Sequence, residues 1–143
     1  MHAKIPVTVH MLFLRDGKIL LSRRYRTGYM DGYYSVPAGH LDGGETVRMA
    51  AVREAREEIG VRLDVAEIVF AGVFHRNEGD ERVDFFVRVR NWAGEPVNAE
   101  PGKCDDLRWV DVNGLPENTI PYIRRAIQNF QAGISFEEFG WEK

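Results

Sequence analysis

Apolar positions along this chain change spacing several times, and each change marks an element. Val, Thr, Leu and Phe crowd together from Pro6 to Leu14, as they do in strands. Asp16-Gly17 signals a turn and Lys18 to Arg24 returns as a second strand, so the pair is expected to form a hairpin. Arg26 to Gly32 reads as a loop, and Tyr33 to Val36 as a short strand ended by Pro37. The spacing predicts a helix over Thr46 to Ile59, with Thr46 as N-cap and Gly60 just past its end. Val52, Ala55 and Ile59 make its expected core stripe, with Val47, Ala50 and Ala51 beside the acidic face. Glu67 to Arg76 and Arg82 to Arg90 are strands joined by a turn at Asn77 to Asp80, and Leu107 to Val112 is another strand. Pro121 opens a second helix that Gly133 stops. Strands around one early and one late helix predict an α/β (α+β) fold, a mixed β-sheet sandwiched between helices. No repeat or linker divides residues 1–143, which read as a single domain.

The run from Gly39 to Val61, GHLDGGETVRMAAVREAREEIGV, is where the pattern stops serving the fold alone. Glu54, Glu57 and Glu58 fall within one turn and a half of helix and share a face. Like charges so placed repel, and in the last turns they also oppose the helix dipole. Arg53 and Arg56 offset part of that charge, and a solvated acidic face is one reading. The other is a site for a hard divalent cation, which takes oxygen ligands and keeps waters for a phosphate substrate.

Composition narrows the partners. A chain of 143 residues with 44% apolar residues holds an ordinary core without staples. A formal net charge of −3 argues against duplex nucleic acid as a partner. The one cysteine, Cys104, can form neither an internal disulfide nor a cysteine zinc cluster, and reads as an inert, buried thiol. No apolar run is long enough to span a membrane, and the N-terminus carries no cleavage pattern, so the expected location is cytoplasmic.

From Gly39 the chain reads five residues to Glu45, seven more to Arg53-Glu54, then Ala55, Arg56, Glu57-Glu58, Ile59, Gly60, Val61. This resembles the Nudix box, GX5EX7REUXEEXGU with U aliphatic, at every fixed position. The resemblance implies hydrolysis of a nucleoside diphosphate linked to another moiety, with Mg²⁺ or Mn²⁺. It implies Glu54, Glu57 and Glu58 as metal ligands, joined by the carbonyl of Ala38. Arg53 would hold a glutamate in place, and Glu45 would be structural. The base that activates water would be Glu57 or Glu58, with Glu100 a candidate from a far loop.

The stretch Asn98-Ala99-Glu100-Pro101-Gly102-Lys103-Cys104, followed by Trp109 and Leu115-Pro116, is similar to the MutT-like nucleoside triphosphate diphosphatases. The proline of the ADP-sugar branch and the tyrosine of the dinucleoside polyphosphate branch are replaced here by His75-Arg76-Asn77 and Asn77-Glu78-Gly79. The expected reaction is therefore a (deoxy)nucleoside triphosphate going to monophosphate and pyrophosphate. NDP-sugars, dinucleotides or a nucleotide-capped RNA end are the alternative substrates, and a non-catalytic nucleotide sensor is the alternative class. For the substrate, Arg23 and Arg24 are candidate phosphate donors, with surface solubility as the other reading. His40 is a candidate phosphate contact, and one of Tyr29, Tyr33 or Tyr34 a candidate base-stacking ring. Trp109 reads as core, and the family suggests a homodimer.

Overall fold

The computed structural model describes residues 1–142. Its centre is β1 (Val7–Arg15), in which every residue from Thr8 to Phe13 is buried. A run buried on both faces belongs in the middle of a layered fold, and β1 is held from both sides. Along Val7–Phe13 it pairs in parallel with β6 (Glu81–Val89), and at Thr8–His10 it pairs antiparallel with β4 (Ala38–His40). Only its last residues, Leu14 and Arg15, pair with β2 (Lys18–Arg24). The expected hairpin is thus two residue pairs long, because β6 and β4 take the rest of the strand. Freed from β1, β2 pairs with β3 (Tyr34–Ser35) and with β7 (Cys104–Asp111). Beyond β6 lie β5 (Ile68–Asn77), antiparallel, and the parallel edge strand β8 (Phe136–Phe139). β4 lies in what reads as a turn, and β8 carries no strand signal beyond two phenylalanines.

Alternation along β1 splits the core in two. Val9, Met11 and Phe13 pack with Val87, Val89 and the first helix, α1 (Val47–Ile59). Leu12 faces the other way, with Phe74, Phe86 and the second helix, α2 (Pro121–Ala132). The mixed sheet therefore lies between two helices, as the pattern predicts. Trp109 is partly buried against the first core and stacks on Trp92.

Helix α1 starts where expected. Thr46 Oγ1 accepts a hydrogen bond from Met49 N at 3.1 Å, and Gly60 takes the left-handed conformation at φ 69°. Its buried face differs from the expected stripe. Ala50, Ala51, Ala55 and Ile59 are buried, whereas Val52 is only partly covered. Alanines let the helix backbone sit close to β1 and β4. The adjoining acidic face is thereby brought to the edge of β4 rather than left in open solvent.

Candidate active site

Gly39 lets the carboxylates reach the strand. A Cβ at this position would overlap the side-chain carboxyl of Glu54, so only glycine leaves that group its place on β4. From the next position, Ala38 N donates to Glu58 Oε2 at 3.0 Å. Glu57 points outward and is the most exposed of the three box glutamates.

Arg53 braces the assembly. It donates from Nη1 to Glu54 Oε1 at 2.7 Å and from Nη2 to Glu45 Oε1 at 2.7 Å. Nε adds a bond to Glu45 Oε2 at 3.2 Å, and Nη2 another to the His40 carbonyl at 3.1 Å. One guanidinium thus ties the turn before the helix to the carboxylate that follows it in sequence. These bonds push Arg53 further up and hold Glu45 below the usual carboxylate range.

The remaining carboxylates are electrostatically frustrated. Burial pushes Glu58 up to about 8, and the charges of Glu54 and Glu100 add to it, against the pull of the Ala38 N–H. Burial also raises Glu54, with Arg53 opposing and Glu57 and Glu100 adding to the rise. Such carboxyls ionise readily only if a cation joins them. Among the described residues, no three acidic, histidine or cysteine side chains converge tightly enough to form a closed metal cage. The buried, raised carboxyls of Glu54 and Glu58, with Glu57 beside them, are oxygen donors of the kind a hard divalent cation takes, with waters and substrate phosphate completing its shell. The donor set on α1 and β4 therefore fits a divalent metal.

The acidic wall belongs to a cleft of about 610 Å³. Glu100 borders it from the turn before β7. That turn is fastened by its own sequence: Asn98 Nδ2 donates to the Cys104 carbonyl at 2.6 Å and Asn98 Oδ1 accepts from Glu100 N at 3.1 Å. Lys103 N and Cys104 N both donate to the Glu100 carbonyl, at 2.9 and 3.0 Å. The motif NAEPGKC is thus a self-capped turn, and Ala99 N donating to the Glu58 carbonyl at 3.0 Å fastens it to the end of α1, beside the acidic wall.

Arg23 and Arg24 border the cleft too, but both already have partners. Arg23 Nε donates to Asp105 Oδ1 at 2.7 Å. Arg24 Nε donates to the Tyr29 carbonyl at 2.6 Å and its Nη2 to Thr27 Oγ1 at 2.9 Å, so it shapes the loop after β2. His40 is exposed at the rim. Tyr34 lies elsewhere: it is 3% exposed in the second core, its hydroxyl donates to Asp106, and it is not part of the cleft wall. Its place at the rim falls to Tyr29, which borders the cleft and is exposed. Burial pushes the Cys104 thiol up and its Sγ–H donates to the Asp106 carbonyl at 3.2 Å, which suits an unreactive group.

Sequence reasoning passed over the opposite wall. Thr8 and His10 on β1, Arg76 on β5 and Tyr122 on α2 all border the cleft. The available signal lay on β1 alone, where Thr8 and His10 are polar residues two apart inside an otherwise apolar strand.

A mixed sheet between two helices, with a braced acidic face lining a cleft, is the architecture of a hydrolase of phosphoric anhydrides. The sequence profile of the NUDIX domain matches residues 4–130, and the chain belongs to that family. It is a MutT-like Nudix hydrolase. Among solved structures, a MutT NUDIX hydrolase from Burkholderia pseudomallei superposes with a TM-score of 0.80 at 28% identity, covering 88% of this chain and 98% of that one. The 8-oxo-dGTP diphosphatase of Escherichia coli is 27% identical over 124 residues, 85% of this chain and 95% of its own length. The NAD-capped RNA hydrolase NudC of Vibrio atlanticus is 32% identical over 124 residues, but this chain covers only 44% of it. The chain spans less than half the length of the NudC relatives it matches. No described helix is long and apolar enough to cross a membrane.

Proposed function

We propose that this protein hydrolyses (deoxy)nucleoside triphosphates to a nucleoside monophosphate and pyrophosphate, using Mg²⁺. The observation that carries the reading is the cleft itself, bordered by Glu54, Glu57 and Glu58 and by Glu100 from the turn bonded to the end of α1. Alignment with the Escherichia coli 8-oxo-dGTP diphosphatase over nearly its whole length supports the same substrate class. Glu54, Glu57, Glu58 and the Ala38 carbonyl would hold Mg²⁺, and Mn²⁺ suits the same oxygens. Bound there, the cation neutralises phosphate charge and makes water a better nucleophile. Arg53 keeps Glu54 in register, and the Ala38 N–H does the same for Glu58. Glu57 or Glu58 would take the proton from water, with Glu100, on the turn bonded to the end of α1, a further candidate.

The test is turnover of a nucleotide panel with Mg²⁺, with products separated by chromatography. Monophosphate and pyrophosphate are expected from triphosphates, and Glu57→Gln is expected to lower kcat by about 10²-fold or more with the fold intact. Turnover confined to NDP-sugars, dinucleotides or capped RNA would replace the triphosphate reading. Near-normal kcat in Glu57→Gln would remove that residue from the metal site.

A further inference from the structure

The wall facing the acidic helix holds a buried polar relay that no step of the hydrolysis uses. Arg76 donates from Nε to Asp84 Oδ2 at 2.6 Å and from Nη2 to Asp84 Oδ1 at 3.2 Å. The Asp84 side chain is fully buried and that of Arg76 is 6% exposed. The Arg76 guanidinium lies 3.6 Å above the Tyr122 ring. Buried ion pairs are seldom needed for stability, since apolar side chains of equal volume often do as well. Retention of one at a cleft wall points to a role in setting polarity.

The hydrogen-bond directions follow from one end of the relay. Burial alone would raise Asp84, but the bonds from Arg76 and Thr8 hold its carboxyl below the ordinary range. An ionised carboxylate only accepts, so Thr8 Oγ1 must donate to Asp84 Oδ1, at 2.6 Å. The Thr8 oxygen is then left to accept from His10 Nδ1–H, at a long 3.4 Å. His10 is 2% exposed beside the mutually paired charges of Arg76 and Asp84, a setting that disfavours charging the ring, so it is neutral and Nε2 carries a lone pair. The Tyr122 hydroxyl, 3.0 Å away, donates to it. With its proton committed inward, the Tyr122 oxygen can only accept from the cleft.

The relay also lies close to the metal-binding strand. His10 pairs with Ala38 across the β1–β4 ladder, so the strand that carries the relay neighbours the strand that meets the carboxylates, and both border one cleft. A nucleotide with its phosphates at the carboxylates would have its base elsewhere in the same cleft, where Tyr122 borders it.

We propose that Tyr122 is a specificity-determining residue: its oxygen, fixed as an acceptor by the Asp84–Thr8–His10 relay, reads an N–H donor on the nucleobase. The inference rests on a nucleotide occupying the cleft, as under the proposed function. Specificity of this kind is strong, because a base without the donor leaves a desolvated acceptor unmatched.

The experiment is calorimetric binding of nucleoside monophosphates in pairs that differ by one amino group. The pairs are guanosine and inosine, adenosine and purine riboside, and cytidine and its analogue lacking the amino group. Wild-type protein is expected to separate at least one pair by about tenfold, and Tyr122→Phe to shrink that ratio to about twofold or less. Magnesium pyrophosphate should bind both proteins alike. Thr8→Val, which breaks the relay without touching Tyr122, is expected to reduce the same ratio, and it decides the matter if Tyr122→Phe fails to fold. Wild-type protein that separates no pair, or a ratio that survives both variants, would overturn the proposal. If triphosphates are not substrates while the ratio still collapses in Tyr122→Phe, the function falls and the specificity role stands. If triphosphates are turned over and the ratio is unaffected, only the specificity role falls.

Discussion

Replacing Glu58 by glutamine in metal-free protein isolates the electrostatic cost of assembling the acidic wall. Glu58 moves from an ordinary value of 4.5 to about 8 on folding. Between those values the native state holds a proton that the unfolded chain has released. The Glu58 contribution to stability is therefore full below pH 4.5 and is lost as pH rises through 8. The full shift corresponds to roughly 5 kcal/mol, and the partial solvent contact of the residue argues for about 2–4 kcal/mol. Glutamine can still accept the Ala38 N–H but cannot ionise. Urea unfolding with a chelator at pH 5, 6.5 and 8 is the assay. Relative to wild type, Glu58→Gln should gain that 2–4 kcal/mol between pH 5 and pH 8, and Mg²⁺ should stabilise wild type more than the variant at pH 8. Glu54 is raised in both proteins, so most of its own contribution cancels in the difference. Parallel stability curves for the two proteins between pH 5 and 8 would refute the reasoning.

Two further outcomes follow from packing. Gly39→Ala forces the Glu54 carboxyl off β4; we expect a loss of stability of about 1–3 kcal/mol by thermal unfolding and a kcat down by about 10²-fold. Arg76→Met leaves Asp84 buried without its cation and should cost about 3–5 kcal/mol in urea unfolding, most of it recovered in Arg76→Met/Asp84→Leu.

Local spacing carried much of this protein. Six of the eight strands, both helices, the Thr46 cap, the Gly60 stop and the acidic face of α1 were readable from short-range periodicity, because each depends on residues within a turn or two. The NAEPGKC motif was also legible, since its turn is closed by its own Asn98 and Glu100. What lay outside that reach were the contacts between distant segments. Which strands flank β1 decided that the hairpin with β2 would be short and that Gly39 would meet Glu54. Ala50 and Ala51 read as lying beside the acidic face, and only the sheet beneath them joined them to Ala55 and Ile59 as the core face. Tyr34 and Tyr29 are equally aromatic in sequence; pairing of β3 with β2 buried the first and left the second at the rim. The relay behind Tyr122 joins Thr8 to Asp84 across 76 positions and His10 to Tyr122 across 112. A hydrogen-bond direction there depends on burial and on partners from three strands and a helix, and those exist only once the chain has closed around them.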